Sequence, residues 1–294
     1  MIATITKDEM KIIYRKRSYV FLAQGGIHHI LPEAMKRAFK TVELFYKKCK
    51  KYNARPIISV GTSALRTADN RSVFLNKIKS QYQIEPEIID GKREAELIYK
   101  GMALACPDYH SNALMMDIGG GSTEFTLTHQ NKVVFQTSLI MGLGELSTKF
   151  PLTDPITTEE SKIIYSYLNH IGKNLIEAIQ SFLPDHLIGG SGTFDVLARV
   201  LTHPQFKNPP ITCTKANPID FQNHIDAIIH SKLQERMQNP NIPSERVQLI
   251  VHACLSIKWI LKIHSFQKIV FSKYALKEGL LKEYYDRWFH RNFS

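Results

Sequence analysis

Several things are scarce in this chain, and each scarcity removes a class of protein. Its 294 residues include only four cysteines, Cys49, Cys106, Cys213 and Cys254, with no CxxC spacing. That pattern predicts neither a disulfide framework nor a cysteine zinc site, and it fits a reducing compartment. Long apolar runs are missing: the most apolar window, Val247 to Leu261, is short and broken by His252, Ser256 and Lys258. It reads as a buried helix, and no membrane association is expected. The opening MIATITKDEMK has no basic region followed by an apolar one, which predicts a cytoplasmic protein without an export signal. The histidines His28, His29, His110, His129, His186 and His252 lack HxH or HExxH spacing, so surface or core roles are expected of them. Acidic residues are outnumbered, 27 against 38 Lys and Arg, and the formal net charge of +11 points to polyanionic partners.

Glycine is scarce as well, with 15 in the chain, yet three stand in a row at Gly119 to Gly121 inside LMMDIGGGSTEF. Three bare peptides cost more conformational entropy than any other tripeptide, so something must require their exposed backbone. The stretch is one of three Gly- and hydroxyl-rich turns that each follow an apolar strand, the others being ISVGTSALRTADN and LIGGSGTFDVLA. Such turns aim consecutive N–H groups into a concave nest that suits phosphate oxygens. Asp117 ends the strand before the triplet and Glu124 follows seven residues on, a placement suited to holding Mg²⁺ against a bound phosphate.

Apolar strand-like and amphipathic helix-like segments alternate, which predicts an α/β fold. Strands are expected at YVFLA (19–23), RPIISVG, EPEIID, the hairpin from Ala113 with its tip near Gln130 to Lys132, HLIGGSG and KIVFS. Helices are expected from Pro32, Asn70, Lys92, Thr157 to about Phe182, Thr193 and Leu276. A boundary between about Pro107 and Ser111 divides the chain into an N-terminal lobe, 1–110, and a C-terminal lobe, 111–294. The lysine-rich YKKCKK reads as a solvated helix face.

Five segments in order, GTSALRTADN, GKREAELIYKG, DIGGGSTEF, GGSGTFDVLA and SKYALKEGLL, resemble the exopolyphosphatase/guanosine pentaphosphatase family of the actin, chaperone and sugar-kinase ATPase superfamily. The resemblance covers nearly the whole chain. It implies two ribonuclease-H-like lobes around a central cleft, and Mg²⁺-dependent hydrolysis of terminal phosphate from inorganic polyphosphate or guanosine pentaphosphate. By matching position it makes Glu94 the base that activates water. It assigns phosphate contacts to Arg66 and to Gly119, Gly120, Gly121 and Ser122, and the other two Gly- and hydroxyl-rich turns add Thr62 and Ser63, and Gly190, Ser191, Gly192 and Thr193, as candidate phosphate contacts. Asp117 and Glu124 become the metal carboxylates. Polyphosphate or guanosine penta- or tetraphosphate is the expected partner, without nucleic acid, and a homodimer is compatible with the resemblance.

The chain departs from the family pattern in two places. Nothing before Met1 to Thr6 matches the first strand and first phosphate loop, so these are expected to be missing. Ala275 and Lys277 stand where glycine and arginine are usual, and Lys277 keeps the charge without the bidentate fork. Two other readings stay open: a non-catalytic sensor that binds polyphosphate or an alarmone, and a sugar-kinase-like phosphotransferase.

Overall fold

The computed structural model describes residues 1–202 and 212–293. The N-terminal part runs β1 (Ile2–Ile5), β2 (Met10–Tyr14), α1 (Pro32–Lys51), β3 (Val60–Gly61), α2 (Ser63–Thr67), α3 (Arg71–Tyr82), β4 (Glu87–Ile88) and α4 (Gly91–Ala105). The remainder runs β5 (Ala113–Ile118), β6 (Thr123–His129), β7 (Lys132–Leu139), α5 (Leu143–Lys149), α6 (Thr158–Ile171), α7 (Lys173–Phe182), β8 (His186–Gly190) and α8 (Ser191–Thr202). It continues through β9 (Cys213–Ala216), α9 (Pro218–His230), α10 (Leu233–Gln238), α11 (Ile250–Ile263), β10 (Lys268–Ser272) and α12 (Leu276–Phe293). The expected α/β class is the observed one.

The larger lobe is built on a six-stranded sheet of order β7-β6-β5-β8-β10-β9. β5, β6 and β7 form an antiparallel meander, while β8 lies parallel to β5 and β10 parallel to β8. Three antiparallel strands followed by parallel additions on the far side of the first are the order expected of a ribonuclease-H-like lobe. All six residues of β5 are buried, as a central strand covered on both faces requires. The hairpin tip falls where the sequence places it, with Gln130 and Asn131 both left-handed at φ 49° and 63°, the geometry of a tight two-residue turn. α11 is buried almost all round, as its apolar sequence predicts. The helix expected to run from Thr157 to Phe182 is two helices. Gly172, at φ −99° and ψ 11°, separates them, and a side chain is excluded there because a methyl would fall 2.4 Å from the Trp259 ring.

Two strand expectations in the N-terminal lobe fail for identifiable reasons. Residues 19–23 form no strand; they are part of an irregular strap, with Phe21 at φ 53° and Gly25 and Gly26 at 85° and 98°. Val20 and Leu22 of the strap pack on the α1/α3 core of their own lobe, while Ala23, the buried residue of the run, lies against Gly144 of the larger lobe, so the apolar run was a burial signal with the wrong structure attached. RPIISVG contributes only Val60–Gly61 to a strand, and Ile57 and Ile58 are 38% and 43% exposed. β3 pairs with β4 and β1 with β2, and among the described residues neither pair is joined to a third strand, so no neighbouring backbone covers the run. What core this lobe has lies between α1 and α3, where the rings of Phe39 and Phe74 sit 5.0 Å apart.

α4 joins the two halves: it packs on β6 and β7 and along α12. Two glycines let the α4 and α12 backbones touch. A methyl on Gly279 would fall 1.7 Å from the Leu97 carbonyl oxygen, and one on Gly101 would fall 2.1 Å from that of Ala275. Glu283 of α12 reinforces the crossing by pairing with both Arg93 and Lys100. Gly279→Val should therefore separate the helices and destabilise the fold by about 1–3 kcal/mol, the range for overpacking. A thermal melt checks this, and an unchanged midpoint would show that the crossing tolerates a wider gap.

Candidate active site

Three acidic side chains meet where α4 crosses the sheet. Asp117 and Glu124 are direct partners across β5 and β6, so they project from one face, and Ser138 of β7 is the next partner in the same row. On the other side, Asp117 pairs with Gly190 of β8. Glu94 comes from the first turn of α4, whose start is fixed by Asp90 accepting from the Arg93 N–H at 2.7 Å. That turn sits close because Gly91 has no side chain, a methyl there falling 2.5 Å from Ser138 Cβ. Glu94, Asp117 and Glu124 are 6%, 5% and 2% exposed, which buries three acids together.

Hydroxyl hydrogen bonds hold Asp117 and Glu124 in place, and Glu94 is paired with Arg66. Ser138 Oγ donates to Glu124 Oε1 at 2.8 Å and Ser191 Oγ donates to Asp117 Oδ2 at 2.7 Å. Arg66 Nη1 lies 3.4 Å from Glu94 Oε2 while donating to the Ile89 carbonyl at 2.7 Å, and the Thr62 side chain is a further neighbour that favours the charged form of Glu94. Burial pushes the Glu94 carboxyl up to about 7, with Arg66 pulling it back and Asp117 adding to the rise. Burial also raises Asp117, opposed by the Ser191 hydroxyl and Arg17. Glu124 is held well above the usual carboxylate range by burial and then by the charge of Glu94.

The glycine triplet explains itself in this setting. The carbonyl oxygens of Gly119, Gly120 and Gly121 accept from the N–H groups of Leu143, Gly144 and Gly142 at the start of α5. In a trans peptide the N–H points opposite to the carbonyl, so the N–H groups of Gly120, Gly121 and Ser122 face away from α5. Those residues line the large cleft, of about 1290 Å³, which also takes in Glu94, Asp117 and Glu124. Gly121 has a second duty, because a methyl there would fall 2.5 Å from both Ile27 and the Ser63 hydroxyl. The strap therefore closes directly over the loop.

Most of the residues singled out from the sequence converge on this cleft: Thr62, Ser63, Glu94, Asp117, Gly119, Gly120, Gly121, Ser122, Glu124, Ser191 and Gly192 all line it. Three do not. Arg66 stands behind Glu94, Gly190 lies within the sheet, and Thr193 is fully buried with its hydroxyl accepting from Arg246 Nη1 at 3.1 Å. Two cleft residues escaped the sequence reading. Arg17 pairs with Asp195 at 2.6 Å, and Arg246, 9% exposed, stacks its guanidinium 5.0 Å over the Tyr19 ring. Both approach Gly192, where a methyl would fall 2.3 Å from Arg246 and 3.2 Å from Arg17. Neither lies in a glycine turn; the one signal for Arg246 is a cation at the edge of an apolar window.

Comparison with known proteins decides the family. The sequence profile of the Ppx/GppA phosphatase family matches residues 1–287. The chain belongs to the Ppx/GppA phosphatase family. Among solved structures, an exopolyphosphatase from Cytophaga hutchinsonii is 32% identical and superposes with a TM-score of 0.91, over 97% of this chain and 93% of that one. The Aquifex aeolicus Ppx/GppA family member, 22% identical with a TM-score of 0.77 over 99% of this chain and 94% of its own, supports the fold. A guanosine-5′-triphosphate,3′-diphosphate pyrophosphatase from Vibrio parahaemolyticus is 28% identical over 269 residues, 91% of this chain and 53% of its own length. The chain thus spans about half the length of that relative.

A divalent cation fits the acidic row. Among the described residues no group of three or more His, Cys, Asp or Glu side chains is arranged to hold a metal by itself. Mg²⁺ does not need one, since it is commonly held by one or two carboxylates together with substrate phosphates. Asp117 and Glu124, side by side and, among the described residues, without a cationic partner in direct contact, supply such a pair.

Proposed function

We propose that the protein is a phosphohydrolase that removes terminal phosphate from inorganic polyphosphate or the 5′ γ-phosphate from guanosine pentaphosphate, with Mg²⁺ as cofactor. The observation that carries the reading is the meeting of Glu94, poised near neutral pH, with an outward-facing run of N–H groups in one cleft. The names of the relatives support the two substrates, and the net charge of +11 favours the longer polyanion.

The roles follow from placement. The N–H groups of Gly120, Gly121 and Ser122 hold oxygens of the phosphate to be transferred, and the Thr62 and Ser63 hydroxyls face them from the other lobe. Glu94 takes a proton from the attacking water, for which a carboxyl near pH 7 is well matched. Ser138 and Ser191 fix the orientation of Glu124 and Asp117. A Mg²⁺ ion held by those two acids would neutralise charge on the phosphoryl group in transfer. The bridging anhydride bond breaks, and orthophosphate leaves with the oxygen of the water.

The test is orthophosphate release from each substrate by the purified chain, with Mg²⁺ and then with EDTA. Release from polyphosphate with Mg²⁺ and none with EDTA is expected. Tight polyphosphate binding without any release would replace the enzyme by a sensor.

A further inference from the structure

Cys106 and Cys213 are 107 residues apart in the chain, yet their side chains share one small apolar cluster with Ile188 and Val270. Cys106 is buried at the C-terminal end of α4, and Cys213 is half-buried at the start of β9, the edge strand. The backbones are held together beside both. Thr212 Oγ1 donates to the Ala105 carbonyl at 3.2 Å, and the Lys273 N–H donates to the Thr212 carbonyl at 2.9 Å. Cys213 itself pairs with Ser272 of β10. The two thiols are therefore neighbours in one cluster, at the junction of the α4 end and the edge of the sheet.

We propose that Cys106 and Cys213 are a reversible modification site, forming a disulfide when a peroxide-class oxidant reaches the half-buried Cys213. The neighbouring Cys106 thiol lowers the Cys213 thiol below its usual value, and the same interaction, with burial, keeps Cys106 protonated. The charge of Asp108 opposes ionisation of both, and the Ser272 hydroxyl is a further polar neighbour of Cys106. A sulfur electron pair of the Cys213 thiolate attacks hydrogen peroxide, the O–O bond breaks, and the hydroxide released takes up a proton as water. The Cys106 sulfur, losing its proton, then attacks the Cys213 sulfur, and the S–O bond breaks with loss of a second water. Two thiols are oxidised and one peroxide is reduced to two waters.

This pair stands apart from the other thiols: Cys49 lies on α1 and Cys254 is buried in α11. It also lies on the helix that matters, since α4 carries Glu94 at one end and Cys106 at the other. A bond there would fasten that helix to the sheet edge. A reducing compartment keeps the thiols open, and oxidative stress closes them.

The test uses the unsubstituted folded protein treated with hydrogen peroxide. Its intact mass should fall by two hydrogen atoms, peptide mapping should place the bridge between Cys106 and Cys213, and dithiothreitol should restore the mass. Cys49→Ser and Cys254→Ser should keep the response, while Cys106→Ser and Cys213→Ser should lose it. Stepwise addition of oxygen to Cys213 without a bridge, a bridge elsewhere, or no change while the thermal melt shows a folded protein would each overturn the proposal. Because the decisive measurement needs no substitution, a variant that fails to fold leaves it standing.

Discussion

Glu94→Gln should lower phosphate release by roughly 100- to 10,000-fold, the contribution expected of a positioned general base. Glutamine keeps the size of the side chain and its place beside Arg66 and Thr62, but it cannot accept a proton from water. Polyphosphate binding should survive or tighten, because one negative charge is removed from the wall of the proposed polyanion site. The same substitution should abolish the acid limb of the kcat/KM profile. Glu94 must be deprotonated to act, so activity of the native protein should rise with pH through about 7. Release and binding should be measured at one salt concentration, since exposed phosphate contacts are screened. Near-native turnover in Glu94→Gln would place the base elsewhere. Loss of binding together with the fold would make Glu94 a structural residue.

How legible the site was depended on whether a residue's role left a local mark in the sequence. The triplet Gly119 to Gly121 was legible because its backbone cost has no other local cause, and its carbonyls are indeed tied to α5. Asp117 and Glu124 were legible as a pair because a strand, a short loop and a returning strand bring positions seven apart into register. Glu94 was not legible from the residues alone. A glutamate in the first turn of a helix is ordinarily solvated, and what buries this one is the close seating of Gly91 on Ser138, a contact between distant parts of the chain. Arg17 left no pattern and Arg246 only a cation beside an apolar window, because their meeting at Gly192 joins parts of the chain far apart in sequence. Residues 19–23 misled the reading because the apolar side chains Val20 and Leu22 pack on the helices α1 and α3 rather than within a sheet.

The acidic row also makes a prediction about stability, and its sign separates a functional cluster from a structural one. Asp117→Asn should reduce phosphate release by roughly 100-fold or more, the scale of losing one fixed electrostatic group at a reacting centre. In EDTA the same variant should melt at a higher temperature than the native protein. Asparagine can still accept from Ser191 Oγ, and its neutrality relieves Glu94 and Glu124 of a charge that raises both. The pH dependence of the native protein in EDTA has the same origin. For Glu94 the folded value is about 7, against 4.5 without the fold, so the folded state binds more protons between those limits. Stability must then fall as pH rises from about 4.5 to about 7. Asp117 and Glu124, raised in the same direction, act with it. Mg²⁺ should flatten that slope in the native protein and have less effect in Asp117→Asn, which thermal melts across pH with and without the ion would show. A variant that melts lower than the native protein in EDTA would mean that the Asp117 charge is used to hold the fold together, and the acidic row would lose its standing as the catalytic centre.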